Sequence, residues 1–469
     1  ECRLHRAPRR RCHRRHRRCR RSQRHQCAEW RLHDRAAEGS VRYPCWPRID
    51  QSSDAANGKV DSSLLLARAF SQTSHTPSLP FLSQVWGPGT FGYSKAQLYE
   101  HKVSQCPLLN MSRISFDTAA HGTPGGDNFG EGNLDVSMIT SFGLNVHTVV
   151  SNTNTSSSTE EGSGFGLALL DFVTDLAARP AVPQVLSISL GSLSAFSCDL
   201  LCREVVKDDP SIAAATCKEF MQNQRQVCMY LSEAQNVRIN DAFKLLGVRG
   251  VSVFGSSGDG GSHWSFGSFP SLSKVGRALN KVGCEFQFPV FPTTSPYVTS
   301  VGGTQWADSS GAKPMAWNGG QGGGGFSWTF GAPAHQADGV KAYLATEGLP
   351  AASSFNASGR AYPDISCVSM DGTSQSSPSM AGIFSMVTDM RLNAGLKPLG
   401  FLGPRLWMTA AAHPNAAFES VNHEGDNTKT SCATGFPPAA KWDAVTGWGR
   451  PVWAGLTALF GSDAWLEAQ

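Results

Sequence analysis

From about Pro80 onward the chain alternates short apolar runs with stretches of helical period. Val146 to Val150, Gln184 to Ile188 and Gly250 to Phe254 are β-branched runs of strand length, each closing near Ser or Gly. Gly132 to Phe142, Gly166 to Ala178 and Arg238 to Leu246 carry helical spacing, and Ser379 to Met390 repeats it with Ile383, Val387 and Met390 on one face. Strands alternating with helices of about 10 to 15 residues predict an α/β fold, a doubly wound parallel sheet with helices on both faces. In such sheets the reactive groups gather at the carboxyl ends of the strands.

The upstream chain lacks this pattern. Residues 1–40 are Arg, His and Cys in low complexity and read as a disordered arm, and residues 41–80 as a Ser-rich linker with one apolar patch, Leu64 to Phe70. The alternating texture marks a domain over residues 81–469. The net charge of +4 hides an asymmetry: the arm holds 14 Arg against 4 acids, and the remainder 27 basic against 33 acidic residues. Such an arm suits a nucleic acid or another polyanion as partner, or a zinc ion on Cys12, His13, His16 and Cys19, whose spacing matches no common zinc pattern. No apolar run of about 18 residues occurs, so no membrane span is expected. Residues 1–30 have no apolar core of the kind a signal peptide needs.

Eight cysteines lie beyond the arm and Cys45, none in a CxxC spacing, and four of them fall between Cys198 and Cys228. That cluster reads as an insertion stapled by disulfides, an oxidising-compartment trait. Sequons at Asn110, Asn154 and Asn356 agree with a secreted or lysosomal/vacuolar setting. The Gly319 to Gly325 run has no Gly-Lys-Ser/Thr after it, so it reads as a flexible turn beside a substrate cleft rather than a phosphate loop.

Three segments carry candidate chemistry. Asp371-Gly-Thr-Ser374-Gln-Ser-Ser-Pro378 puts Ser374 at the start of a helix, with Pro in its first turn, where N–H groups and the dipole favour developing negative charge. The same sequence also suits a plain N-cap. Glu131 and Asp135 stand at i and i+4, one turn apart on one helix face, as a proton-sharing pair or as ordinary N-terminal acids. Asp259 ends a strand in a Gly-rich turn, and could be a turn residue or a hydrogen-bond donor. Asp117-Thr-Ala-Ala-His121-Gly-Thr resembles a subtilisin His-Gly-Thr, but that family separates its Asp and His much further.

Together these segments resemble the sedolisin family, the serine-carboxyl peptidases. The resemblance runs in order through Trp86-Gly-Pro-Gly-Thr-Phe-Gly-Tyr93, Ser187-Ile-Ser-Leu-Gly191, Arg238-Ile-Asn240, Phe291 to Thr304, Gly324-Gly-Phe-Ser327, Tyr362-Pro-Asp364 and Trp442 to Gly449. It implies a subtilisin-like architecture and peptide-bond hydrolysis at acid pH, as a tripeptidyl-peptidase or an endopeptidase, on a peptide or protein substrate. Ser374 would be the nucleophile, Glu131 its base, Asp135 the partner that orients Glu131, and Asp259 a protonated oxyanion donor in place of the Asn of subtilisins. Ser189, Leu190 and Gly191 would line the substrate, with Gly324, Gly325 and Ser327 opposite.

The departures are specific. The family carries a long folded prodomain, and the residues upstream of the catalytic part here are fewer and unpatterned. Nine residues, Ile365 to Thr373, separate Asp364 from Ser374 where the family has a longer lead, which questions strand support for the nucleophile. The family also binds one calcium ion. Here Ser420 stands where an Asp is expected, leaving Asp443 with the carbonyls of Val421, Ala439 and Lys441, a weak donor set for Ca2+. A bridge between Cys284 and Cys432 would staple the calcium loop to the oxyanion region, although spacing alone does not fix the pairing. These departures also suit a catalytically inactive relative that binds peptides.

Overall fold

The computed structural model describes residues 83–88, 113–117, 130–143, 146–153, 164–223, 227–229, 231–263, 273–307, 314–369, 372–421, 427, 432 and 435–463. The arm of residues 1–40, the linker 41–80, His121, Asp371, Asn110 and Asn154 lie outside them.

Among the described residues eight strands make the central sheet: β1 (Ser83–Pro88), β2 (Ile114–Asp117), β3 (Thr148–Thr153), β4 (Val185–Ile188), β5 (Ser252–Ser256), β6 (Thr299–Trp306), β7 (Pro314–Ala316) and β8 (Ile365–Val368). β2, β3, β1, β4, β5 and β6 follow one another in parallel, β8 adds to β6 in parallel, and β7 pairs with β6 antiparallel. The register sets Val85 opposite Val150 on one side and Ser187 on the other. β5 begins two residues later than the apolar run suggests. Val251 N–H is still held by Leu246 O (3.0 Å) in the turn that closes the preceding helix, so the ladder starts after it.

The helices are α1 (Gly130–Phe142), α2 (Gly164–Ala178), α3 (Ala195–Asp208), α4 (Ala214–Asn223), α5 (Glu233–Val248), α6 (Lys274–Gly283) and α7 (Thr373–Asn393), with shorter ones outside the site. Two apolar layers separate them. One gathers Ile139, Phe142, Ile383, Phe384 and Val387 with Phe254 and Val301; the other gathers Leu169, Val173, Leu176, Ile239, Phe243 and Leu246 with Leu186 and Val253. Helices α1 and α7 therefore share one layer and α2 and α5 the other, the doubly wound arrangement expected. Burying Ile383, Phe384 and Val387 completely stabilises the fold by about 1.5–3 kcal/mol per side chain.

Helices α3, α4 and α6 surround a third apolar cluster around Leu201, Met221 and Leu279. The Cys198–Cys228 and Cys202–Cys217 disulfides staple it, as the cysteine cluster suggested, and Cys284 pairs with Cys432. Asn356 turns its amide inward, donating from Nδ2 to Ser327 O (2.9 Å), which competes with use as a sugar acceptor. Among the described residues no helix is long and apolar enough to cross a membrane.

Candidate active site

Helix α7 begins at Thr373, so Ser374 is its second residue, and Gly372 before it has φ 85° and ψ 172°. That left-handed φ favours glycine, and a Cβ at Gly372 would also collide with Asp259 Oδ2. Asp259 leaves the carboxyl end of β5 and docks on the helix start. Its Oδ1 accepts Thr373 N–H (2.7 Å) and Thr373 Oγ1–H (2.8 Å), while Thr373 Oγ1 accepts Gly258 N–H (3.0 Å). Asp259 is exposed.

Pro378 is the sixth helical residue rather than part of the first turn. Lacking an N–H, it cannot bond the carbonyl of Ser374 four residues back. Ser189, just past the end of β4 and buried, takes that carbonyl instead, donating from Oγ to Ser374 O (3.3 Å). Ser374 Oγ, half-buried, donates in return to Ser189 O (3.2 Å).

The short lead into the nucleophile turn does not leave it unsupported. Ile365–Val368 pairs in parallel with Val301 to Thr304, Ser369 N–H continues the ladder to Thr304 O (2.7 Å), and Ser376 Oγ donates to Cys367 O (3.2 Å). Nine residues suffice because strand leads almost directly to helix. Asp364 anchors the other end of the lead, accepting from Ser300 N–H (2.7 Å) and Trp407 Nε1–H (2.8 Å) and pairing with buried Arg360.

Glu131 and Asp135 lie in the first half of α1, which packs along α7. The helices meet closely because Gly382 presents no side chain: a Cβ there would stand 2.7 Å from both Ile139 O and Phe142 Cβ. Gly143 faces Ser385, and Val146 packs with Met386 beyond it, so the two helices advance in the same direction. The first half of α1, with Glu131 and Asp135, therefore lies along the first half of α7, which opens on Thr373 and Ser374, and Asp135 is 1% exposed. The side chain of Glu131 is outside the described residues.

Ser189, Leu190 and Gly191 connect β4 to the short strand Ser192–Ser194, and Leu190 and Gly191 are partly exposed. Gly324, Gly325 and Ser327 are buried. Gly325 pairs with Tyr362, Ser327 Oγ accepts from Thr329 N–H (3.1 Å) and Phe330 N–H (3.0 Å), and Gly323 N–H binds Gly258 O (2.6 Å). The Gly-rich run is thus packed behind the Asp259 loop instead of standing as an open turn. Asp117 has an ion pair with Arg179 (2.6 Å) and accepts from Ser151 Oγ (3.1 Å), so it serves the edge of the sheet.

The proposed calcium donors do not fit an ion. Asp443 is fully buried, and both carboxyl oxygens are engaged: Oδ1 by Val445 N–H (2.9 Å) and Thr446 N–H (2.7 Å), Oδ2 by Ala439 N–H (3.0 Å). Burial pushes its carboxyl up to about 7, against those hydrogen bonds, whereas calcium wants several ionised, outward-facing oxygens. Ser420 Oγ is turned to Ala439 O (3.5 Å), one of the expected ligands, and Val421 and Lys441 would add only carbonyls. No group of three or more His, Cys, Asp or Glu that could hold a metal occurs among the described residues.

The fold combines a parallel sheet, a helix that opens on Ser374 and, packed along it, a helix that carries Glu131 and Asp135. The chain is 30% identical over 395 residues to tripeptidyl-peptidase 1 of Canis lupus familiaris, and 30% identical over 404 residues to tripeptidyl-peptidase 1 of Homo sapiens. These alignments cover 78% and 79% of this chain, and it spans 60% of the length of both relatives. Its fold matches Pseudomonas sedolisin, a serine-carboxyl proteinase, with a TM-score of 0.55 at 20% identity, over 84% of this chain and 95% of that one. No family model matches the chain. The chain is similar to tripeptidyl-peptidase 1 in sequence and has the fold of sedolisin.

Proposed function

We propose that this chain hydrolyses peptide bonds at acid pH through an acyl-enzyme, with Ser374 as nucleophile, Glu131 as base, Asp135 as its proton partner and Asp259 as oxyanion donor. Ser374 Oγ attacks the substrate carbonyl carbon as its proton passes to Glu131. The carbonyl oxygen, now negative, accepts a hydrogen bond from protonated Asp259. Collapse expels the amine with the proton from Glu131 and leaves an ester on Ser374. Water repeats the sequence on that ester, giving its proton to Glu131, which returns one to Ser374 Oγ as the acid product leaves. Asp135 orients Glu131 and shares its proton, so the pair titrates as a unit.

The substrate runs along Ser189, Leu190 and Gly191, with Gly324, Gly325 and Ser327 backing the cleft from behind. The substrate is a peptide or protein, cut as a tripeptidyl-peptidase or an endopeptidase would. No step is routed through calcium, which the donors around Asp443 do not suit. The Cys198–Cys228, Cys202–Cys217 and Cys284–Cys432 disulfides, of a kind that forms and persists in oxidising compartments, support a secreted or lysosomal/vacuolar setting. A polyanion on residues 1–40 is a minor further partner.

The observation that supports the reading most is the packing of α1 along α7 in the same direction, which lays the half of α1 carrying Glu131 and Asp135 beside the half of α7 that opens on Ser374. A second reading, peptide binding without turnover, draws on the Ser374 hydroxyl being turned to Ser189 O. Kinetics separate the two. Ser374→Ala should abolish turnover, and Glu131→Gln and Asp135→Asn should each cost about 10² to 10⁴ with folding intact. Their losses should not add in the double variant. Undiminished activity in Ser374→Ala, or in either carboxylate variant, excludes the proposed roles.

A further inference from the structure

The hydrogen bonds around Asp259 fix where its acid proton can sit. Thr373 Oγ1 already accepts the Gly258 N–H (3.0 Å), so its own proton is directed at Asp259 Oδ1 (2.8 Å), and Thr373 N–H is directed at the same oxygen (2.7 Å). An oxygen receiving two donors is the acceptor oxygen of the carboxyl. The acid proton then belongs on Oδ2, the atom lying over Gly372, two residues before Ser374. We propose that Thr373 is a positioning residue that holds Asp259 with its acid proton on Oδ2 and sets how far towards neutral pH the oxyanion donor survives. The proposal rests on the reading of Asp259 as that donor.

The two duties pull in opposite directions. Hydrogen bonds donated to Oδ1 orient the carboxyl but also favour its ionised form, and the start of α7 adds a positive dipole end to the same effect. Asp259 is exposed, so burial does little to offset them. Its own loop, the start of α7 and the Gly320 to Gly325 run pack around it, and among their described residues the other titratable side chain is His263. His263 is buried, with Nδ1 at 3.0 Å from Phe286 O. From α1, which packs along α7, come Glu131 and Asp135. Thr373 is thus a donor placed to trade acid strength against orientation, and the trade has a signature that a structural contact lacks: losing its hydroxyl should lower the plateau yet extend activity upward in pH.

Profiles of kcat/KM against pH for the full chain test this. Thr373→Val, with Thr373→Ala as a second variant should valine disturb folding, is expected to move the alkaline limb upward by about one pH unit while the plateau falls. Thr373→Ser keeps the hydroxyl and should restore the wild-type limb. In an Asp259→Asn background, removing the Thr373 hydroxyl should shift no limb, because no carboxyl proton is left to lose. An unmoved limb in both Thr373 variants, with Asp259→Asn altering the profile, overturns the positioning role and leaves Asp259 as donor. A wild-type plateau and limb in Asp259→Asn instead removes Asp259 from the site, and this proposal with it.

Discussion

Ser189 and Ser374 exchange hydrogen bonds across the gap between a strand end and a helix start: Ser374 Oγ donates to Ser189 O at 3.2 Å, and Ser189 Oγ donates to Ser374 O at 3.3 Å. The second bond exists because Pro378 leaves the Ser374 carbonyl without its intrahelical partner. Ser189→Ala would strand that carbonyl while leaving the acceptor for the Ser374 hydroxyl in place. We expect a loss of about 1 kcal/mol or slightly more, read as a Tm lowered by a few degrees, with kcat within about tenfold of wild type. A melt unchanged by the substitution contradicts the role given to Ser189.

The helix crossing at Gly382 makes a second prediction. Gly382→Ala puts a Cβ 2.7 Å from Ile139 O and Phe142 Cβ, and neither backbone can yield without moving α1 along α7. Overpacking of this kind costs about 1–3 kcal/mol. Because the same crossing lays the half of α1 carrying Glu131 and Asp135 along the Ser374 half of α7, kcat should fall alongside Tm. Gly382→Ala with lowered Tm and intact kcat would separate the crossing from the chemistry.

Much of this arrangement can be read in the chain. The β-branched runs and helical periods give the parallel sheet and both helix layers, because burial imposes period 2 and period 3.6 on local sequence. Gly-Thr-Ser before a helix marks Ser374, since the turn needs the backbone freedom of Gly372. What escaped are contacts made across the fold. Nothing near Thr373 in sequence says that its hydroxyl meets Asp259, more than a hundred residues upstream. Composition makes the Gly319 to Gly325 run look mobile, whereas its lack of side chains lets it pack against the Asp259 loop. Ser420 and Asp443 mark a weakened calcium site in sequence, yet only the structure reveals backbone amides on both oxygens of Asp443.

Calcium should therefore matter little. Stabilisation by a ligand grows as RT ln(1 + [L]/Kd), so weak binding adds almost nothing near physiological calcium. Thermal melts with chelator and with excess calcium should nearly superimpose. A rise of many degrees at low micromolar calcium would show that other acids complete a site.

Acid pH should weaken the fold through His335. Burial lowers its imidazole from 6.5 to about 4, with Asp364 opposing and Arg360 reinforcing the shift, and its ring lies against those of Phe401 and Trp407. The unfolded chain binds this proton first, so the stability His335 contributes is complete above about 6.5 and is lost as pH falls towards about 4. Melts between pH 7 and pH 4 should show Tm falling in the wild type and a shallower fall in His335→Gln. Equal slopes in the two proteins would exclude the effect.

The most direct test of the central claim is covalent capture of Ser374. A peptide aldehyde offered to the full chain at about pH 4 should form a hemiacetal on Ser374 Oγ. We expect one aldehyde bound per chain in native mass spectrometry of the intact complex, with a hemiacetal carbon signal from aldehyde labelled with 13C, and neither in Ser374→Ala. A folded, peptide-binding wild-type chain that forms no adduct, or one modified equally in Ser374→Ala, would contradict the account.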